Sequence, residues 1–138
     1  MCHLIFKITL SLRLILKADF TIPFRSMTKI QSVTSCEELD KIIANNTIAL
    51  CYFSSVSCIV GEALEPKVKS LITTEFPKIH IFHVDIHSSP EIVAKLSVYV
   101  EPTILVFFYG KETIRKSRNI GIYELREAIE KRYKLIYN

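Results

Sequence analysis

Apolar positions along this chain change their spacing several times, and each change marks an element. Residues 47–53 carry Ile48, Ala49, Leu50, Cys51, Tyr52 and Phe53 without a polar break, the pattern of a strand covered on both faces. Upstream, Thr34 and Ser35 are N-cap candidates, Glu37 and Glu38 complete capping boxes with them, and Leu39, Ile42 and Ile43 form one apolar stripe that Asn45-Asn46 ends. After Cys58 a second helix is predicted to about Thr73, with Ala63, Leu64, Val68, Leu71 and Ile72 as its buried side and Pro66 as an interior kink. Residues 78–86 read as a strand through Ile79, Ile81, Val84 and Ile86, and Ser89-Pro90-Glu91 opens a short helix to Leu96. Residues 103–109 form another strand, Gly110 a hairpin turn and residues 113–118 its antiparallel return. Residues 121–133 close the chain as a helix bearing Ile122, Leu125, Ile129 and Tyr133.

The sum is read as β-α-β-α-β followed, after the short helix to Leu96, by β-β-α. It predicts an α/β fold whose central mixed sheet, three parallel strands plus an antiparallel hairpin strand, carries helices on both faces. A chain of 138 residues is one domain's worth, long enough to bury a core. At 49% hydrophobic and 23% charged residues it falls in the globular class, not the disordered one. No internal repeat interrupts it.

Charge changes the picture only at the front. Most of the net charge of +4 lies in residues 1–26, where Lys7, Arg13, Lys17 and Arg25 oppose Asp19 alone. The near-neutral remainder gives no electrostatic reason to expect nucleic acid, and the groups Lys111, Arg115, Lys116, Arg118 and Lys131, Arg132, Lys134 read as solvated surface. The apolar stretch from Leu4 to Leu16 is cut by Lys7 and Arg13, which argues against a membrane span. It fits an amphipathic targeting or membrane-surface segment better. The expected organisation is therefore a 1–26 N-terminal extension, with Met27 as the functional start, and a 27–138 domain. Membrane contact is expected only if residues 1–26 are retained.

Four cysteines, Cys2, Cys36, Cys51 and Cys58, occupy unlike settings: outside the domain, a first helical turn, a strand and a strand-to-helix junction. Free thiols in a reducing compartment, the cytosol, are the expectation. No metal site is expected, since His80 and His83 stand an odd number of positions apart on a strand and face opposite sides. No cofactor is expected either; with three glycines, a phosphate-cradling loop cannot be built.

The chemistry concentrates at Phe53-Ser54-Ser55-Val56-Ser57-Cys58-Ile59-Val60-Gly61-Glu62, answered by Val100-Glu101-Pro102-Thr103-Ile104-Leu105-Val106. Over about residues 28–135 this order resembles the thioredoxin family, whose members carry Cys-x-x-Cys at the first place and a cis proline at the second. The resemblance implies the thioredoxin-like fold, a reactive thiol at Cys58, a cis Glu101–Pro102 bond, and a groove for an extended peptide formed by Ser57, Ile59, Val60, Glu101, Pro102 and Thr103. Pro66 also matches a family proline. The departures from the family pattern point one way: Gly61 replaces the second cysteine, Ser57 the tryptophan, Ile59-Val60 the Gly-Pro pair, Glu62 the lysine, and Glu101 an aliphatic residue. By the same resemblance Tyr52 stands where the family has a buried acid and His83 where it has a lysine, so Tyr52 and His83, joined by a hydrogen bond, are the proton-transfer candidates.

A thiolate at a helix N-terminus is favoured by unpaired N–H groups and the helix dipole, and nearby carboxylates oppose it. In a two-cysteine oxidoreductase the second thiolate attacks the mixed disulfide and releases the product; Gly61 cannot. The expected function is thiol/redox homeostasis through a single cysteine, a monothiol thiol-disulfide oxidoreductase acting on protein substrates by mixed-disulfide formation. The alternative is a non-catalytic adaptor or chaperone-like module using the same groove. A glutathione-holding glycine motif is not present after Pro102, where Phe107-Phe108-Tyr109-Gly110 stands.

Overall fold

A computed structural model describes residues 30–138; the expectations for residues 1–26 and Cys2 lie outside them. The elements are β1 (Gln31–Ser32), α1 (Cys36–Asn45), β2 (Ile48–Ser54), α2 (Ile59–Glu75), β3 (His80–Asp85), α3 (Pro90–Leu96), β4 (Thr103–Phe108), β5 (Lys111–Ser117) and α4 (Ile122–Tyr137). They build one mixed sheet in the order β1-β3-β2-β4-β5. The three strands β1, β3 and β2 run parallel, and β4 and β5 run antiparallel to their neighbours.

The apolar run is the centre of this sheet: every residue of β2 is buried. Period-two alternation sends Ile48, Leu50 and Tyr52 to one face, where they meet Val68, Leu71 and Ile72 of α2 and Leu125 and Ile129 of α4. Ala49, Cys51 and Phe53 enter the opposite core with Leu39 and Ile42 of α1 and Ile92 of α3. Both faces are covered, which is why the strand reads as continuous and not alternating.

Local chemistry sets the boundaries. Ser35 caps α1, its hydroxyl accepting from the Glu38 N–H at 3.2 Å, while Thr34 N–H donates to Glu38 Oε2 at 3.4 Å. The hairpin turns on Tyr109 and Gly110, both at positive φ (51° and 79°), the left-handed pair that a two-residue loop between twisted strands requires. This tight turn starts β5 at Lys111, two residues before the expected return. In α2, Ala63 is exposed, against its expected inward placement, while Leu64 is half-buried and packs on the core. The stripe that faces the sheet runs through Gly61, Val68, Leu71 and Ile72, and Ala63 lies off it. Pro66 sits exposed inside an uninterrupted helix; lacking an N–H, it leaves the Glu62 carbonyl without its usual donor four residues on. α4 runs past Tyr133 to Tyr137, because Tyr133 packs edge-on against Phe76 and Tyr137 packs on Tyr133.

Candidate functional site

Register brings the two sequence signals to one end of the sheet. Phe53 pairs with Thr103, so the chain leaves β2 through Ser54 at the place where it enters β4 from Pro102. A short turn, closed by Cys58 N–H donating to the Ser55 carbonyl at 3.1 Å, then carries the chain into α2. Cys58 is the N-cap of that helix: its Sγ accepts from Gly61 N–H at 3.3 Å and its carbonyl from Glu62 N–H at 2.9 Å. The sulfur thus takes one of the orphan donors of the first turn. The residue is half-buried and unpaired, as are the free thiols Cys36 (half-buried) and Cys51 (buried). Burial in the sheet pushes the Cys51 thiol up to about 12 and takes it out of any chemistry near neutrality.

Around Cys58 the surface is apolar and open. Val56 is 93% exposed, Ile59 81% and Val60 61%, and Ser57 is exposed with its hydroxyl 3.1 Å from that of Ser55. At the same end of the sheet, just before β4, the Glu101–Pro102 peptide is cis. Pro102 and Thr103 are buried; the Thr103 hydroxyl donates to the Val100 carbonyl at 2.6 Å, and the Pro102 carbonyl accepts from Arg118 N–H at 2.9 Å. The backbone groups of Glu101 enter none of the backbone hydrogen bonds among the described residues. Glu101 Oε2 is buried and also lacks a partner among them.

Gly61 has a spatial consequence that the pattern of types does not display. A Cβ at this position would overlap the hydroxyl of Ser54 and lie 3.1 Å from Ser54 Cβ and 3.3 Å from Cys58 Sγ. Ser54 is 3% exposed. The last residue of β2 therefore fills the space that a side chain at residue 61 would take, a space whose centre lies 3.3 Å from the sulfur. Nothing in the sequence marks Ser54 for this place, since its contact with Gly61 joins two different elements.

The expected Tyr52–His83 hydrogen bond is not formed. The two residues are register partners on adjacent strands, but their rings stack, with centroids 6.2 Å apart and planes at 26°. The Tyr52 hydroxyl instead donates to the Gly61 carbonyl at 2.7 Å, tying the first turn of α2 to the central strand. Burial raises the Tyr52 phenol well above its ordinary range, and the charges of Glu65 and Cys58 add to this. His83, Glu62, Glu65, Asp85, Ser54, Ser55 and Val56 line a cleft of about 210 Å³ where β2 and β3 end. Within it the backbone N–H groups of Ser88 and His87 hold the Asp85 carboxyl below the usual carboxylate range. Among the described residues no group of side chains suited to a metal ion is found, and no helix is long and apolar enough to cross a membrane.

A parallel β-α-β half joined to an antiparallel hairpin, with a cysteine capping the helix after the central strand and a cis proline at the same end of the sheet, defines the class: a thioredoxin-fold protein. The Thioredoxin family model matches residues 30–131, and the chain belongs to the thioredoxin family. It is 26% identical over 111 residues to the thioredoxin-like protein YdfQ of Bacillus subtilis, spanning 80% of this chain and 96% of that protein. Thioredoxin from Trypanosoma brucei brucei superposes with a TM-score of 0.69 at 26% identity, covering 82% of this chain and 99% of its own. Mitochondrial thioredoxin 3 from Saccharomyces cerevisiae shares the fold, with a TM-score of 0.69 at 21% identity over 75% of this chain and 96% of its own.

Proposed function

We propose that this protein serves thiol and redox homeostasis through Cys58 alone. The Cys58 thiolate attacks a disulfide of a protein substrate, one substrate sulfur leaves as thiolate, and the other stays bonded to Cys58 until an external thiol resolves it. The observation that carries this reading is the half-buried Cys58 sulfur at the head of α2 with Gly61, not a thiol, at the resolving place. Support for a bound polypeptide comes from the exposed Val56, Ile59 and Val60 and from the unused backbone groups of Glu101, which an extended segment would pair. A donor on that segment would also satisfy Glu101 Oε2. Residues 27–138 are the working unit in this reading, in keeping with the span of the family match. The free Cys36, Cys51 and Cys58 favour a reducing compartment, the cytosol.

Incubation with insulin tests it. The expected result is a covalent adduct at Cys58, reduction only when an external thiol is supplied, and loss of both in Cys58→Ser. Reduction that persists in Cys58→Ser overturns the reading. The exposed apolar group at the site favours one other function, a binding module that holds partners without chemistry. Full partner retention by Cys58→Ser, with no adduct in the parent protein, would establish that one instead.

A further inference from the structure

The filling of the residue-61 space bears on which sulfur of a mixed disulfide can be attacked. Thiol–disulfide exchange proceeds by in-line displacement, so a nucleophile striking Cys58 Sγ must arrive opposite the bound partner's sulfur. In the single-thiol reading the partner takes the open side, where Val56, Ile59 and Val60 are exposed. The opposite side is the inner one. There Gly61 N–H contacts the sulfur at 3.3 Å, and the Ser54 side chain occupies the volume in which a Cβ of residue 61 would lie 3.3 Å from Sγ. Ser54 is 3% exposed and its backbone is held in β2 by pairing with Asp85 of β3, so its Cβ stays on the inner side whichever way the hydroxyl turns.

We infer that Ser54 closes the inner approach to Cys58, so that a low-molecular-weight thiol resolves the mixed disulfide by attacking the partner's sulfur and not the protein's own. This rests on the single-thiol reading above and names its outcome. In the first step Cys58–S⁻ displaces R′–S⁻ from R–S–S–R′ and the Cys58–S–S–R bond forms. In the second, the small thiolate R″–S⁻ bonds to the R sulfur, the Cys58–S bond breaks, and Cys58–S⁻ departs as leaving group. The partner then leaves as R–S–S–R″, still a disulfide, and no net electrons remain on the protein. The protein is a thiol-transfer protein: it exchanges one thiol for another on its substrate, and net reduction needs a second equivalent of small thiol. Ser54 is the specificity-determining residue.

The test uses the full chain charged at Cys58 with a cysteine peptide from its thionitrobenzoate disulfide, purified, then treated with one equivalent of glutathione and quenched with acid. Mass spectrometry is expected to find the peptide–glutathione disulfide and free Cys58 in roughly tenfold excess over free peptide and glutathionylated Cys58. Ser54→Gly, which opens the inner side, is expected to move that ratio several-fold toward glutathionylated Cys58. Release of free peptide as the main product from the parent protein overturns the inference whether or not the variant folds, and leaves the single-thiol reading intact. Failure of Cys58 to accept the peptide at all overturns both.

Discussion

Substitution of Gly61 by alanine is the sharpest probe of the contact between β2 and α2. Glycine is the third residue of α2, and in an ordinary helix its replacement by alanine stabilises by about 0.5–1 kcal/mol. Here the new methyl would overlap Ser54 Oγ and press to 3.1 Å on Ser54 Cβ, and forcing one extra carbon into a packed site typically costs about 1–3 kcal/mol. The steric loss wins: Gly61→Ala is expected to destabilise by about 1 kcal/mol, which lowers the midpoint of thermal unfolding by roughly 3–5 °C for a domain of this size. In a Ser54→Gly background both offending atoms are gone, and the same change should stabilise by about 0.5–1 kcal/mol. The swing of about 2 kcal/mol between backgrounds is the coupling energy, within the range that touching residues show. Urea denaturation of the four proteins of the cycle, at constant m, measures it. Equal stabilisation by Gly61→Ala in both backgrounds would refute the claim that Ser54 fills the space.

Cys58→Ser should abolish covalent capture yet leave stability unchanged or raised by up to about 1 kcal/mol, since serine caps helices better than most residues; a loss beyond that range in chemical denaturation would contradict the N-cap role. Tyr52→Phe deletes the hydroxyl that donates to the Gly61 carbonyl and should cost about 1 kcal/mol by urea denaturation. Stability should fall with rising pH above about 9: the unfolded Cys51 thiol ionises near 9.0 while the folded one resists to about 12. The unfolded state then binds fewer protons and gains up to about 1.4 kcal/mol per pH unit, with Tyr52 adding to the slope above 10.0. Cys51→Ala should flatten the pH 9–10 portion of that curve. Maleimide labelling of the folded protein should modify Cys58 and Cys36 and spare Cys51, whose protection should end only on unfolding.

Much of the architecture was legible because burial leaves a mark on residue type. β2 announced itself by six consecutive apolar residues, Ile48 to Phe53, all of them buried, and the cores on its two faces follow from the period of two. β1 left no such mark: Gln31 and Ser32 are exposed, and their strand exists only through pairing with Phe82 and His83 of β3. At the site, Cys58 and the loss at Gly61 were visible as types at positions. The plug was not, since Ser54 and Gly61 lie on different elements and their contact depends on how α2 docks against β2. Tyr52 and His83 are register partners on adjacent strands, but the hydrogen bond expected between them is not formed, because position on a strand does not fix which way a hydroxyl turns. It turned along the strand toward the helix, where a carbonyl was in reach.

The two departures beneath the sulfur act together. Internal resolution requires a second thiol and a group that takes its proton, and the inner side of Cys58 offers neither. Ser54 and Gly61 leave no room for the thiol. Tyr52, standing where the family resemblance implies an acid, spends its proton on the Gly61 carbonyl, and its burial suppresses ionisation. A phenol so held cannot serve as a base near neutrality. Restoring cysteine at residue 61 would therefore not restore dithiol turnover by itself: the new side chain would strain against Ser54, and its thiol would face a phenol unable to ionise it. Insulin reduction that remains dependent on external thiol in Gly61→Cys, with partial recovery only when Ser54→Gly and Tyr52→Asp are added, is the pattern this chemistry requires.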